Sequence, residues 1–522
     1  MSNQAMQLDL DSWVLELRLP RPSFADNSAD AERLQQGLLK EAGWNSLDID
    51  LPLLRQLPSI LRQADFEVLC ALLAGRRGAL LLAVEDGQEQ QSCLGLAVDL
   101  GTTSFTLRLL ELKHKKLLAE QSFPNPQTEF GPDILSRIHF AAQPGNSHKL
   151  QSVLLQGISR AIQEVCASAS QDPQRILCLA LAGNTAMTHF FLNLPTYWMI
   201  REPYIPAWNK PEPIRTKELD DLGIHPGAGL FCFPNTGSYF GGDLFAGLLS
   251  SGLPRSQEIC LLVDVGTNAE VVLGNQDWLI ACAGAAGPAL EGGVSEIGKQ
   301  AGPGIIDRVK IDPESLGFEL HTIDGLPPAG ICGSGMIDLA AQLFLAGLLD
   351  FRGKFVADRC PECLVRRGDN LYLLLADASQ TRDGQELLLG QAELDSLIRS
   401  KAAMYTILET LTSSVGVSLE EISTFYVAGA FGNLIDPVSA ITIGMLPDLP
   451  LERFQPLGNS SLEGCARFLL QPRSLGELEE IENKITYLEL NVNQDFMNRF
   501  SAAKFLPHTE KSLFPSVQEL LR

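Results

Sequence analysis

The sequence predicts a duplicated α/β protein, in which two related halves are each built around a strand–turn–strand–turn–strand unit and follow a small α/β domain. Residues 259–282 carry the first observation. ICLLVDV is a buried apolar strand holding Asp264, Gly266-Thr267-Asn268 is a tight turn, AEVVLG is a return strand, and NQD turns into the third strand, WLIAC. Residues 94–123 repeat the design: an apolar run closing on Asp99, a turn at Gly101-Thr102-Thr103, a return strand over 105–112, a turn at 114–116 and a third strand over 117–123. Asp99 and Asp264 stand 165 positions apart. That period is too long for a solenoid of short repeats and implies two half-domains.

The chemistry follows from the turn. Glycine lets the backbone approach a phosphate closely, and successive N–H groups with the hydroxyls of Thr102, Thr103, Ser104 and Thr267 can donate to its oxygens. A preceding carboxylate can hold Mg²⁺ directly or through water. Two such hairpins facing each other would clamp a triphosphate from both sides. A Walker A loop is excluded, because here the glycine turn leads into a strand and no G-x-x-x-x-G-K-[ST] precedes a helix. For either copy alone, a plain hairpin turn is the competing reading.

The paired hairpins resemble the superfamily of acetate and sugar kinases, heat-shock chaperone ATPases and actin. A longer set of segments is similar to the reductive activators of corrinoid proteins: AVDLGTTS, NPQTEFGPDILSRI, LAGNTAMTHFFL, LLVDVGTNAEVVLGN, AGPGIIDRV, GICGSGMIDL, YVAGAFGN and ITYLELNVNQDFMNRF. The resemblance covers residues 94–518 and implies an actin-like (ribonuclease H-like) ATPase core with an interlobe cleft. It further implies that ATP hydrolysis is coupled to reduction of an inactivated Co(II) corrinoid.

Composition narrows the classes. Of 522 residues, 45% are hydrophobic and 20% charged, an ordinary globular balance with material for several cores. Forty basic against 63 acidic residues give a net charge of −23, which disfavours nucleic acid as a partner because backbone affinity comes from clustered Lys and Arg. No apolar run approaches the ~20 residues of a membrane span, and the N-terminus lacks a basic segment followed by an apolar core. A cytoplasmic protein is expected. Eleven cysteines, several inside apolar strands, read as small buried hydrophobes and not as a disulfide framework.

In chain order, residues 1–92 form the small leading domain: strand over 13–19, helices over 29–42 and 51–62, strand over 79–84, then a polar linker over 85–91. The first actin-like half is set at 93–258, and the second at 259–522 with a C-terminal extension. The halves divide in the polar stretch 254–258. Within the first half, a strand over 176–182 delivers Gly183-Asn184-Thr185 to an apolar helix, and Gly458-Asn459-Ser460-Ser461 does the same late in the chain. Both helix starts fit a hinge or simple N-capping. His189 is read as a packed helical residue. Asp243, after Gly241-Gly242, is expected at a helix N-terminus, where the macrodipole favours its charged form. It can orient an attacking water there or cap the helix.

Gly302-Pro303-Gly304 and Gly330 to Gly335 mark close backbone approach. Gly333 and Gly335 open a helix over 336–349, where amides can meet an anion or pack tightly. Cys332 among them has no basic sequence neighbour to activate it. A strand over 424–428 feeds Gly429-Ala430-Phe431-Gly432-Asn433, whose place resembles the family's adenosine motif. The pair Cys360 and Cys363 is half of a metal site at most, and a structural role is preferred.

By this resemblance the cofactors are ATP and Mg²⁺. Asp99 and Asp264 hold metal and water, with Asp243 as a third catalytic candidate. Gly101, Thr102, Thr103, Ser104, Gly183, Asn184, Gly266, Thr267, Asn268, Gly333 and Gly335 serve the phosphates, and Gly429, Ala430, Phe431 and Gly432 the adenosine. The expected partner is a corrinoid protein; a homodimer is compatible with this reading. The family's full-length members add a plant-type ferredoxin domain, whose C-x₄-C-x₂-C pattern is not found in this sequence. No iron–sulfur cluster is therefore expected, and electrons should come from a separate ferredoxin-like donor. A nucleotide-gated binding module without redox work, and a small-molecule kinase of the same superfamily, are the competing functions.

Overall fold

The structure is a computed structural model that describes residues 10–42, 46–87, 92–219, 221–238, 240–266, 269–284, 297–312, 314–368, 370–429, 435–488, 490 and 494–522. Two compact units divide the chain: Met1–Gly252 with Ser460–Lys484, and Leu253–Asn459 with Ile485–Arg522.

The first unit opens with strand β1 (Val14–Arg18), helix α1 (Asp30–Ala42), β2 (Leu47–Ile49), helix α2 (Leu51–Gln63), β3 (Glu67–Ala74) and β4 (Ala79–Asp86). They form a four-stranded sheet in the order β1-β3-β4-β2. Asp50 caps α2 by accepting from Leu53 N, and Pro52 sits where a helix lacks an N–H partner anyway. Glu85, expected in a linker, closes β4 and pairs in two-pronged fashion with Arg175, at 2.7 and 2.8 Å.

The main sheet of this unit is six-stranded, β7-β6-β5-β8-β10-β9, from β5 (Leu94–Leu100), β6 (Ser104–Glu111), β7 (Lys116–Pro124), β8 (Ile176–Gly183), β9 (Ile214–Arg215) and β10 (Gly229–Cys232). β5, β6 and β7 are antiparallel neighbours; β8 joins β5 in parallel and β10 joins β8 in parallel. Helices α3 (Ile134–Ala141), α4 (Asn146–Ser168), α5 (Thr185–Phe191) and α6 (Gly242–Ser250) belong to the same unit. The apolar stripe of α4, from Leu150 through Val165, closes the core over β6 and β7.

The second unit repeats the plan. Its six-stranded sheet runs β21-β20-β11-β12-β13-β22. β11 (Cys260–Val265), β12 (Ala269–Gly274) and β13 (Leu279–Gly284) form the antiparallel triplet. Two small three-stranded sheets, β14 (Ile305–Ile311), β15 (Phe318–Thr322), β16 (Gly330–Ile331) and β17 (Leu364–Arg367), β18 (Asn370–Ala376), β19 (Leu387–Gly390), are inserted before β20 (Thr424–Ala428). Helix α7 (Gly333–Leu345) packs on β14, and α8 (Gln391–Ser414) on β12 and β13; α9 (Pro437–Thr442) follows β20. After β21 (Phe454–Gly458), which lies parallel to β20 as β20 lies parallel to β11, the chain supplies α10 (Ser460–Leu470) and α11 (Ser474–Lys484) to the first unit. β22 (Ile485–Tyr487), α12 (Gln494–Ala503) and α13 (Pro515–Leu520) complete the second unit.

The triplet plus two parallel strands, present in both units, is the duplicated α/β architecture expected from the two hairpins. Among the described residues no helix is long and apolar enough to cross a membrane.

Candidate functional site

In the first unit, Asp99 is the penultimate residue of β5, half-buried, and the chain bends immediately after the strand. A Cβ on Gly101 would lie 2.6 Å from the Ser104 carbonyl oxygen, so the turn admits only glycine there. Asn125, wholly buried, holds the turn: its side-chain amide donates to Gly101 O at 2.9 Å and its backbone N–H to Thr103 O at 2.8 Å. The end of β8 lies against the end of β5, since a Cβ on Gly183 would stand 2.6 Å from Leu100 O. Asn184 then caps α5, accepting from Met187 N at 3.0 Å while its own amide donates to Thr102 Oγ1 at 3.2 Å. Thr102 and Thr103 remain half-buried and Ser104 exposed.

The start of α6 approaches the same place. A Cβ on Gly241 would lie 2.5 Å from Asn184 Cα and 2.9 Å from Gly183 O, and one on Gly242 would lie 2.9 Å from Phe233 Cβ. Asp243 follows, half-buried, with Oδ1 accepting from Leu244 N at 2.9 Å. Burial pushes its carboxyl up to about 7; the Leu244 N–H opposes this and the negative charge of Asp99 adds to it. The helix N-terminus favours the charged form of Asp243, and burial opposes it. A dipole contribution of roughly 0.3–1 kcal/mol is outweighed by desolvation beside a second carboxylate. Asp99 in turn accepts from Ser461 Oγ at 2.8 Å.

Such a pair fits a divalent cation nearby, which would relieve the repulsion that adds to the burial-driven rise of Asp243. Mg²⁺ commonly takes one or two carboxylates and completes its shell with phosphate oxygens and water. Among the described residues no group of three or more His, Cys, Asp or Glu is gathered for a metal.

In the second unit Asp264 occupies the equivalent place in β11, in register with Ala428 of β20. Gly429, at φ +85°, lies against it: a Cβ there would stand 2.4 Å from Asp264 Oδ1 and 2.7 Å from Val265 O. Its N–H donates to Gly458 O at 3.1 Å. Gly266 follows β11, half-buried; Thr267 and Asn268, and likewise Ala430, Phe431 and Gly432, lie outside the described residues. Gly333 and Gly335 are buried in the first turn of α7. A Cβ on Gly335 would meet Ile306 O at 2.4 Å, so tight packing on β14 accounts for that glycine.

The remaining candidates are structural. His189 is buried; its Nδ1–H donates to Thr185 O at 2.7 Å, Nε2 accepts from Ala207 N at 3.1 Å, and burial lowers its pKa, so it is a neutral packed ring. Cys360 and Cys363 form a disulfide, and Cys332 is buried, its thiol donating to Ile306 O at 3.3 Å.

The structure therefore joins Asp99, Asp243, Gly101, Thr102, Gly183 and Asn184 in one constellation and Asp264 with Gly429 in another. Asn125 and Ser461 escaped the sequence reading as site residues, although both lie in segments it singled out. Asn-Pro ahead of a turn and a second serine inside a helix start were the available signals.

A duplicated fold with a carboxylate and glycine turn in each unit defines the ASKHA class. Residues 258–518 match the family described as the C-terminal domain of RACo, the ASKHA domain; residues 94–256 match the RACo middle region and 2–91 the RACo linker region. The chain belongs to the RACo family of reductive activators of corrinoid proteins.

Among its relatives, the corrinoid activation enzyme RamQ of Eubacterium limosum is 29% identical over 460 residues, covering 86% of this chain and 76% of RamQ. The [Co(II) methylated amine-specific corrinoid protein] reductase of Methanosarcina barkeri is 26% identical over 441 residues, covering 77% and 75%. A solved reductive activator for corrinoid, iron-sulfur protein superposes with a TM-score of 0.87 at 37% identity, over 98% of this chain and 82% of that one.

Proposed function

We propose that this protein binds Mg-ATP and couples its hydrolysis to reductive reactivation of a Co(II) corrinoid held by a protein partner, with electrons from a separate ferredoxin-like donor. The observation that carries the nucleotide part is the constellation around Asp99, in which a glycine turn, two interacting carboxylates and the capped start of α5 converge. The corrinoid part is supported by family membership and by what the relatives' names say of those proteins.

Bound Mg²⁺ would neutralise phosphate charge. The chain's own residues do the rest. Asp99 would hold the cation or its water shell, family resemblance assigns the same kind of role to Asp264, and the amides and hydroxyls of the Gly101 turn would receive phosphate oxygens. Asp243, poised near neutrality, accepts a hydrogen bond from the attacking water and takes its proton. Gly429 keeps the second turn clear of side chain beside Asp264. Catalysis of this kind rests on positioning and charge neutralisation. The work is conformational and is assigned to the cytoplasm.

The test is phosphate release from ATP with and without a Co(II) corrinoid protein, alongside acceptor phosphorylation. Free phosphate whose release rises with the corrinoid protein supports the proposal. ADP formed with a phosphorylated small molecule and no free phosphate would replace it with a kinase.

A further inference from the structure

Helix α10 bears a serine whose hydroxyl is not used by its own backbone. Ser461, in the first turn and 5% exposed, donates to Asp99 Oδ1 at 2.8 Å. The helix that carries it is pinned on every side. A Cβ on Gly464 would lie 2.0 Å from Ala246 O, so α10 and α6 meet backbone to backbone. Ser250 Oγ donates to Ser460 O at 3.0 Å, and Arg467 reaches Leu249 O while pairing with both oxygens of Glu477 at 2.8 and 2.6 Å. Phe468 stacks on Phe231 at 4.0 Å between ring centres, and Trp13 Nε1 donates to Phe468 O at 2.9 Å. One rigid helix thus touches Asp99 through Ser461 and packs against α6, which carries Asp243.

We propose that Ser461 is a positioning residue that fixes the orientation of the Asp99 carboxylate, and that α10 holds Asp99, facing the cation, in register with Asp243, facing the attacking water. The inference rests on the Mg-ATP reading above. A carboxylate that loses one fixed donor offers a cation a less organised oxygen, and partners of this kind, lying behind the ligand, commonly change metal affinity by about 10–100-fold. A merely structural hydrogen bond would change stability and leave the metal dependence alone.

The experiment uses the full chain and compares wild type, Ser461→Ala and Ser461→Cys. Nucleotide binding is measured by calorimetry across a Mg²⁺ titration, turnover by phosphate release, and folding by thermal melting. In Ser461→Ala the Mg²⁺ concentration for half-maximal binding rises about tenfold and kcat falls about tenfold, while KM for ATP stays within about twofold. Ser461→Cys keeps the shape but donates weakly, so it shows the same loss should the alanine variant fail to fold. A wild-type Mg²⁺ dependence in folded Ser461→Ala or Ser461→Cys overturns the role of Ser461 alone. A wild-type protein that binds no nucleotide with Mg²⁺ overturns the underlying reading, and the role of Ser461 falls with it.

Discussion

Replacing Asp243 by Asn should make the first unit more stable and abolish the proposed ATP hydrolysis. In the folded protein burial and the charge of Asp99 lift this carboxyl from the ordinary aspartate value of 3.8 to about 7. The native state therefore binds more protons than the unfolded chain between these values, and stability falls as pH rises through that window. At roughly 1.4 kcal/mol per pH unit, the full gap is on the order of 4 kcal/mol lost by pH 8 relative to acid, and less than half of that at pH 5. Asn cannot ionise and avoids the loss. Urea unfolding followed by tryptophan fluorescence reports mainly the relevant unit, because among the described tryptophans Trp13, Trp198 and Trp208 fall in it and Trp278 falls in the other. The variant should exceed wild type by roughly 2–4 kcal/mol at pH 8, by less at pH 5, and should not hydrolyse ATP. A variant of equal or lower stability at pH 8, or a gap that widens toward acid, would refute the electrostatic account of the pair.

Three further substitutions probe the second unit. Asp264→Asn should lower ATP turnover on the order of 100-fold with the melting temperature retained, and unchanged turnover would remove Asp264 from the site. Gly429→Ala places a methyl 2.4 Å from Asp264 Oδ1 at a left-handed position, so turnover should drop along with about 1–2 kcal/mol of stability; full activity would show that this approach is not needed. Gly335→Ala meets Ile306 O and should cost about 1–3 kcal/mol in denaturation experiments, whereas a neutral result would mean that α7 is not held tightly to β14.

The hairpins were legible because their strands are bounded apolar runs with polar turns between them. β5 through β7 and β11 through β13 match the stretches read from the sequence to within two residues at each end. β3 was not, since EVLCALLA is continuously apolar and buried on both faces, leaving no alternation to separate strand from helix. The helix expected over 336–349 starts earlier, at Gly333, and ends at Leu345. Glycine lowers helix propensity, but here it permits contact with β14, and Gly347 at φ +71° reverses the chain soon after the last turn.

Within the site, residue types and turns were readable and their partners were not. Nothing in the spacing of Asp99 and Ser461, 362 positions apart, announces a hydrogen bond. The charge state of Asp243 likewise depends on burial and on a neighbour that only the fold brings near.

On the function proposed, this chain performs ATP-driven conformational work on a corrinoid protein and a separate donor supplies the electrons. The most direct test follows the Co(II) to Co(I) conversion of a corrinoid protein by visible spectroscopy, with and without ATP, and with and without an added low-potential reductant. The account predicts conversion only when protein, ATP and reductant are all present, and its loss in Asp264→Asn. Conversion by the anaerobically purified protein and ATP alone, without reductant, would contradict the separation of work from electrons; reduction indifferent to ATP would contradict the coupling itself.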